Sequence, residues 1–453
     1  MVKEVQSAED FSIDGIFITS ERIKQSIDIK HVAVELNIFE NINMPYLTGS
    51  ILILDDNNLF SAVDFQGTER LTVELSMPVQ GAPTISKTFV MYRIEKIHKS
   101  NDKTAMLLFN LIEDIGFYNN VQNFSKSYDG RGEEIIRKII NDKFGRSLYN
   151  KIKTHKTSYQ TKFRLIVPYL NPFQATKMAL DKMTTENGSP YFLYSSLYTN
   201  DMILADLDTI LGRTPFNRAE PFQYDQSVAN DKENSVLLQA RSIYQLESDN
   251  QEDTLLLSEL GALGSDFTTT NMTDGNEIAY DHDVNKVYRQ LLNASVLPPD
   301  QDNVLLDNIF VADPSGTDQR KLSQFSSRKF SQIGGGKTFP YQQDISNWTF
   351  ETDPNAYKLK MFKYAIEQLL LKNTVNIIVP GLKFLTRDVT TSVGSQISLV
   401  VYKNEIVDET TNPVDNKKSG DYIMLAKKHV FNITDVSHTV QITCARIANR
   451  RSS

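Results

Sequence analysis

Two stretches far apart in the chain begin alike. Gly67 to Leu75 reads GTERLTVEL, and Gly394 to Tyr402 reads GSQISLVVY. Each starts with glycine and then alternates apolar with polar residues, the period of a half-buried strand. The echo continues in the same order: FVMYRIEKIHK from Phe89 is answered by YIMLAKKHVF from Tyr422, and TAMLLFNLI from Thr104 by TVQITCARI from Thr439. Upstream, MPYLTGSILILDD from Met44 is set against VPGLKFLTRD from Val379. Both copies also insert a long polar loop after the glycine-led strand, SMPVQGAPTISKT in one and KNEIVDETTNPVDNKKSG in the other. Four strands in matching order with a matching excursion point to a duplicated antiparallel β unit. Gly67 and Gly394 are then equivalent turn positions, and His98 and His429 fall at matching places.

Between the copies the period changes. In DGRGEEIIRKIINDKFG, Ile135, Ile136, Ile139, Ile140 and Phe144 share a helical face, Glu133 and Glu134 favour its N-terminal end, and Gly145 can stop it. In NPFQATKMALDKMTTENG, Asn171 suits an N-cap with Pro172 at the first helical position, and Asn187-Gly188 ends the segment. PYFLYSSLYTNDMILADL returns to strands, with Thr199-Asn200-Asp201 as the hairpin turn. A polar stretch from about Gly212 to Thr352 reads as irregular with long loops, and PNAYKLKMFKYAIEQLLLKNT as a helix. The expected fold is therefore α+β and mainly β, with two similar antiparallel β-barrel domains. The division is a first barrel over 1–115, an α+β domain with two helices and a hairpin over 116–225, a mixed polar region over 226–374 with its helix near 354–373, and a second barrel over 375–453.

MPYLTGSILILDDNNLF with GTERLTVEL, the NPFQATKMALDKM helix leading into GSPYFLYSSL, and SVGSQISLVV with SGDYIMLAKKHVF together resemble the central baseplate hub protein of contractile-tailed bacteriophages, a T-even-like tail hub family related to the hub part of injection-system spike proteins. The resemblance covers the first 210 or so residues and the last 80, and it is weakest in the middle. It implies tail-tube-like barrels and a homotrimer forming a pseudo-sixfold ring that joins the tail tube to the central spike, adapting sixfold to threefold symmetry around a DNA channel. The implied partners are tail tube or tube-initiator proteins, the spike, baseplate wedge proteins and the tape measure protein. The implied place is the virion tail baseplate, after synthesis in the host bacterial cytoplasm.

Candidate chemistry is thin. At 453 residues with a net charge of -8 and no long basic cluster, the chain is built for several cores and against sequence-specific nucleic acid binding. The N-terminal stretch lacks the apolar core of a signal peptide, and no stretch is long and apolar enough for a membrane span. Gly336-Lys337-Thr338 in SQIGGGKTFP ends like a phosphate loop, but Ser331 stands where the motif needs glycine and Phe339-Pro340 follows where it needs a helix. Asp281-His282-Asp283 is a local cluster of ligand-type residues without metal spacing, and Asp55-Asp56 sits at a strand end. The other histidines, His31, His155 and His438, are dispersed, and the single cysteine, Cys444, shares a strand face with Val440 and Ile442 as a core thiol. No catalytic, cofactor-binding or metal site is expected, and no cofactor. The loops at Met77–Ser86 and Asn404–Gly420 are the candidate contact surfaces. The alternatives are a hub of another contractile injection system, or a nucleotide or carbohydrate hydrolase.

Overall fold

The alternation in GTERLTVEL becomes a strand, Glu69–Ser76, that buries Leu71, Val73 and Leu75. GSQISLVVY becomes another, Gln396–Val401, that buries Ile397, Leu399 and Val401. The computed structural model describes residues 5–20, 22, 26–55, 65–99, 105–159, 162–224, 236–250, 254–271, 275, 277–297, 301–302, 310–312, 319–334, 354–403, 414–415, 418–447 and 449–450.

The first unit comprises β1 (Ser12–Thr19), β2 (Ile27–Asp28), β3 (Ala33–Asn41), β4 (Thr48–Asp55), β5 (Glu69–Ser76), β6 (Ile85–Lys99) and β7 (Ala105–Glu113). Its strand order is β3-β4-β7-β6-β5-β1-β2. Next come the two-stranded sheet of β8 (Phe124–Gly130) and β10 (Phe163–Leu170), and a sheet of β9 (Ile152–Thr154), β11 (Tyr191–Ser196) and β12 (Thr199–Asp206). The second unit takes β13 (Phe222–Tyr224) and β14 (Gln245–Asn250), then β21 (Asn373–Pro380), β22 (Gln396–Val401), β23 (Gly420–Asn432) and β24 (Ser437–Ala445). Its order is β14-β21-β24-β23-β22-β13.

Place for place, β4, β7, β6 and β5 correspond to β21, β24, β23 and β22, antiparallel throughout. Both long strands bulge at the same point, β6 between Met91 and Arg93 and β23 between Met424 and Ala426. With the bulges aligned, Phe89, Val90 and Met91 fall on Tyr422, Ile423 and Met424, and Leu107, Phe109 and Leu111 fall on Val440, Ile442 and Cys444, all buried. Leu71, Val73 and Leu75 fall on Ile397, Leu399 and Val401. The outer strands differ in direction, since β1 is antiparallel to β5 and β13 parallel to β22.

Three sequence expectations need correction. The glycines are one residue out of step: Gly394 matches Thr68, because matching it to Gly67 would set the inward residues of β5 on outward positions of β22, and the buried face decides register. For the same reason His429 corresponds to Ile97, not His98. The counterpart of β4 is β21, whereas the segment from Val379 ends that strand and turns into a short 3-10 helix, Leu382–Leu385, that buries Phe384 and Leu385. Among the described residues the two similar units are joined along one edge. β3 pairs with β4 on one side and β23 on the other, so both units form one continuous 13-stranded sheet. Each unit does curl. β2 pairs with β1 and leads through a turn, in which Val32 and Ala33 both donate to Ile29 O, into β3 at the far end of the order; Gln223 of β13 likewise bridges Ser242 just ahead of β14. In the second curl Gln223 N–H donates to Arg241 O at 2.8 Å and Gln223 O accepts from Ile243 N–H at 2.9 Å, whereas in the first the bent β2–β3 strand spends its remaining edge on β23.

Gly394 keeps a local role. Its φ of +72° is costly for other residues, and a Cβ there would lie 2.5 Å from Tyr194 Oη. Gly394→Ala is expected to lower stability by about 1–3 kcal/mol, read as a lower midpoint in thermal unfolding.

The helices largely follow their periodicity. Within α1 (Asp114–Asn120), α2 (Gly132–Phe144) and α3 (Pro172–Lys182), α2 buries Ile135, Ile136, Ile139, Ile140 and Phe144, and the Asn171 side chain accepts from Gln174 N–H at 2.8 Å. The polar stretch holds more order than its composition suggests. After the short helix α4 (Leu207–Leu211) it has short helices α5 (Val236–Gln239) and α6 (Thr254–Glu259), a sheet of β15 (Gly264–Asn271), β16 (Glu277–Asp283) and β20 (Lys329–Gly334), and α7 (Val284–Asn293). Two short pairs accompany them, β17 (Gln301–Asp302) with β25 (Asn449–Arg450) and β18 (Phe310–Ala312) with β19 (Gln319–Lys321). In α7, Val284, Val287, Tyr288 and Leu291 share a core with Leu359, Phe362, Ile366 and Leu369 of α8 (Pro354–Lys372). That core supplies the apolar surface each short segment lacks alone.

Candidate functional site: a charged seam between the two sheet units

Where β3 meets β23, Lys427 lies directly across from Glu40, and both are fully buried. Burying two ions is costly unless each is paired and hydrogen-bonded. Glu40 Oε1 stands 3.4 Å from Lys427 Nζ and accepts from Leu197 N–H at 3.2 Å; Oε2 accepts from Ser392 Oγ at 3.2 Å and Val393 N–H at 3.3 Å. Lys427 Nζ donates to Thr391 O at 2.8 Å and Tyr198 Oη at 3.1 Å, and lies over the rings of Tyr198 and Phe384. Burial opposes the Glu40 charge, but Lys427, His429 and Val393 N–H hold the carboxyl at about 2.

Two histidines complete the seam. His429 Nδ1 is 3.0 Å from His438 Nε2, and His438 stacks on Phe431 with centroids 4.1 Å apart. Burial, and then the charge on Lys427, bring His429 down to about 4; burial and the neighbouring His429 and Lys427 hold His438 well below the ordinary histidine value. Both rings are therefore neutral at neutral pH.

Part of this seam comes from outside the sheet. The sequence placed the hairpin turn at Thr199-Asn200-Asp201, but the turn is Leu197-Tyr198, and Thr199 already opens β12. The tip is apolar because it is a plug: Leu197 and Tyr198 are buried in the first unit's core, and Tyr198 Oη donates to Phe384 O at 2.8 Å. The Thr-Asn pair tethers the plug instead, since Thr199 O and Asn200 Oδ1 accept from Lys87 Nζ at 2.9 and 3.0 Å while Lys87 pairs with Glu113 at 3.2 Å. With the Glu40 and Lys427 side chains sealed from solvent, these groups lock the two sheet units and the hairpin in one geometry.

The outer face of the same strands is different. Ser50, Asn110, Thr439, Gln441, Thr443, Asn376 and Gln245 alternate with the buried rows, and Lys428 and Glu247 add a charge of each sign. This wall mixes those amides and hydroxyls with the exposed apolar side chains of Phe39, Leu54 and Met106, and Arg93 and Glu35 add a further charge of each sign, which leaves its net charge low.

The other candidates from sequence scatter. Gly336-Lys337-Thr338, Asp56 and residues 404–413 lie outside the described residues. His282 is buried with Nε2 3.0 Å from Ala262 O, and Asp283 caps α7 by accepting from Asn285 N–H, so the Asp281-His282-Asp283 run serves strand and helix ends. No group of three or more metal-type ligands occurs among the described residues. His155 contacts Arg213, His31 is exposed in a turn, and Asp55 ends β4. Cys444 is a buried core thiol with its pKa raised by burial. In the first long loop Thr84 Oγ1 donates to Asp14 Oδ2 at 3.1 Å, and Met77 packs on the core.

No protein-family model matches the sequence, and no curated protein does. Solved structures do match. A tail protein from Neisseria meningitidis MC58 is similar over 96% of this chain and 97% of its own, with 11% identity and a TM-score of 0.51. The 43 kDa tail protein of prophage MuSo2 from Shewanella oneidensis is similar over 96% of this chain and 99% of its own, with 8% identity and a TM-score of 0.50. Over nearly its whole length the chain has the fold of these tail proteins, a mainly β fold consistent with the baseplate hub that the sequence resembles.

Proposed function

We propose that this protein is the structural baseplate hub of a phage tail, a homotrimer whose ring has six similar lobes and joins the tail tube to the central spike around a channel for DNA. The observation that carries this reading is the duplication itself: β4, β5, β6 and β7 recur as β21, β22, β23 and β24 in the same order, bulged at the same point, within one continuous sheet. Two equivalent units per chain make six from three chains, which suits a part between a sixfold tube and a threefold spike. The charged seam supports it, because a ring bearing load needs its two lobes fixed relative to each other. The nearly neutral outer face of the sheet is a suitable channel wall, since amides and hydroxyls hold no phosphate strongly. Tube or tube-initiator proteins and the spike bind its two rims, wedge proteins its outside, and the tape measure protein its bore. No catalytic step or cofactor belongs to this role, and its place is the virion tail.

The mass of the purified protein in solution tests the reading. Sedimentation equilibrium at high protein concentration is expected to give three chains per particle; a strict monomer or a dimer counts against a trimeric hub.

A further inference from the structure

The two units share a strand frame but differ on its outer face. Along β4 and β7 the residues that alternate with the buried Ile51, Ile53, Leu107 and Phe109 are Leu52, Leu54, Met106 and Leu108. They form two cross-strand pairs, Leu52 with Leu108 and Leu54 with Met106, and Leu54 and Met106 are 37% and 36% exposed. In the second unit the equivalent places on β21 and β24 hold Ile378, Pro380, Thr439 and Gln441. A threonine and a glutamine thus stand on β24 where β7 has methionine and leucine. The frame folds with either set, so the core does not demand the apolar one, and an aliphatic cluster kept at the surface marks a contact.

Opposite charges border the cluster. Glu35 of β3 lies across from Leu52, its carboxylate held by Asn37 Nδ2 at 2.6 Å, and Arg93 of β6 lies across from Asn110 on the other side. Neighbouring strands are about 4.8 Å apart, so β3 to β6 spans about 14 Å. An α-helix about 10 Å across, laid over β4 and β7, reaches both borders with its side chains.

We infer that an amphipathic helix of a partner protein packs along β4 and β7. Its aliphatic stripe lies on Leu52, Leu54, Met106 and Leu108, with a cation toward Glu35 and a carboxylate toward Arg93, a complementary pairing. The inference rests on the ring reading above for its count: the cluster occurs once per chain, so a ring with six lobes takes three helices. Duplex DNA offers no aliphatic stripe to such a place.

A synthetic helix tests this on the full chain. The probe is a peptide of about 18 residues, about 27 Å of helix to match the length of β4, with a leucine stripe bordered by lysine on one edge and glutamate on the other. Titration calorimetry is expected to give one peptide per chain. Met106→Thr with Leu108→Gln, which installs the second unit's residues, is expected to weaken binding at least about tenfold while trimers persist in sedimentation. Thr439→Ala with Gln441→Ala, in the second unit, is expected to leave binding unchanged. Circular dichroism checks folding, and Leu52→Gln with Leu54→Ser carries the same test on β4 if the first pair does not fold. No saturable binding, equal weakening by the pairs in both units, or equal binding of a DNA duplex overturns the helix site and leaves the trimeric ring standing. Monomers that bind one peptide per chain keep the site and remove the ring.

Discussion

Replacing Lys427 with methionine is expected to lower the unfolding free energy by about 3–5 kcal/mol, the cost of leaving a buried carboxylate without its counter-charge. The side chain is fully buried and faces Glu40 at 3.4 Å with Thr391 O and Tyr198 Oη as its other partners, so no water replaces it. Methionine keeps the stem's volume and packing on Tyr198 and Phe384, which isolates the electrostatic loss. Adding Glu40→Gln should recover part of it: the stranded charge is gone, and the amide oxygen still accepts from one of the two N–H groups, Leu197 on the Oε1 side or Val393 on the Oε2 side, while the amide NH2 faces the other. Urea unfolding of wild type, single and double variants measures this. A single variant that loses less than about 1 kcal/mol, or a double that is no better, contradicts the account of the seam.

Acid should act at the same place. His429 is held at about 4 against its ordinary 6.5, by burial first and then by Lys427. Between those values the unfolded chain takes up a proton that the folded one refuses, so stability is complete above about pH 6.5 and falls as the pH drops toward 4. The loss from this residue alone is about 3 kcal/mol. His438 adds to it in the same direction. Glu40, held at about 2, takes over below its ordinary 4.5: its contribution is present above that value and is lost as the pH falls through 2. Urea midpoints from pH 7 to 4 should therefore fall more steeply for wild type than for His429→Leu. Equal slopes would show that the buried pair of histidines does not govern the acid response.

How much of this the sequence disclosed depended on where the signal was local. The paired triplets at Phe89 and Tyr422 lie at equivalent strand positions, because alternation and burial act on neighbouring residues. The glycines misled by one residue, since a turn glycine reports backbone conformation and not which face of the next strand is buried. Thr199-Asn200 misled for a different reason: a hairpin tip that plugs another core is apolar, and only the tertiary fold reveals the plug. The seam did leave a trace. Glu40 follows Leu36 and Ile38 in the apolar phase of its strand, and Lys427 precedes His429 and Phe431 in theirs. A charge at an inward position is a reason to seek its partner, but which two strands meet is not written in either one.

Images of the isolated particles bear most directly on the central claim. Class averages from electron microscopy of the purified protein are expected to show a ring of threefold symmetry with six similar lobes around a central opening. Compact single-chain particles, or a ring whose lobes do not number six, would contradict it.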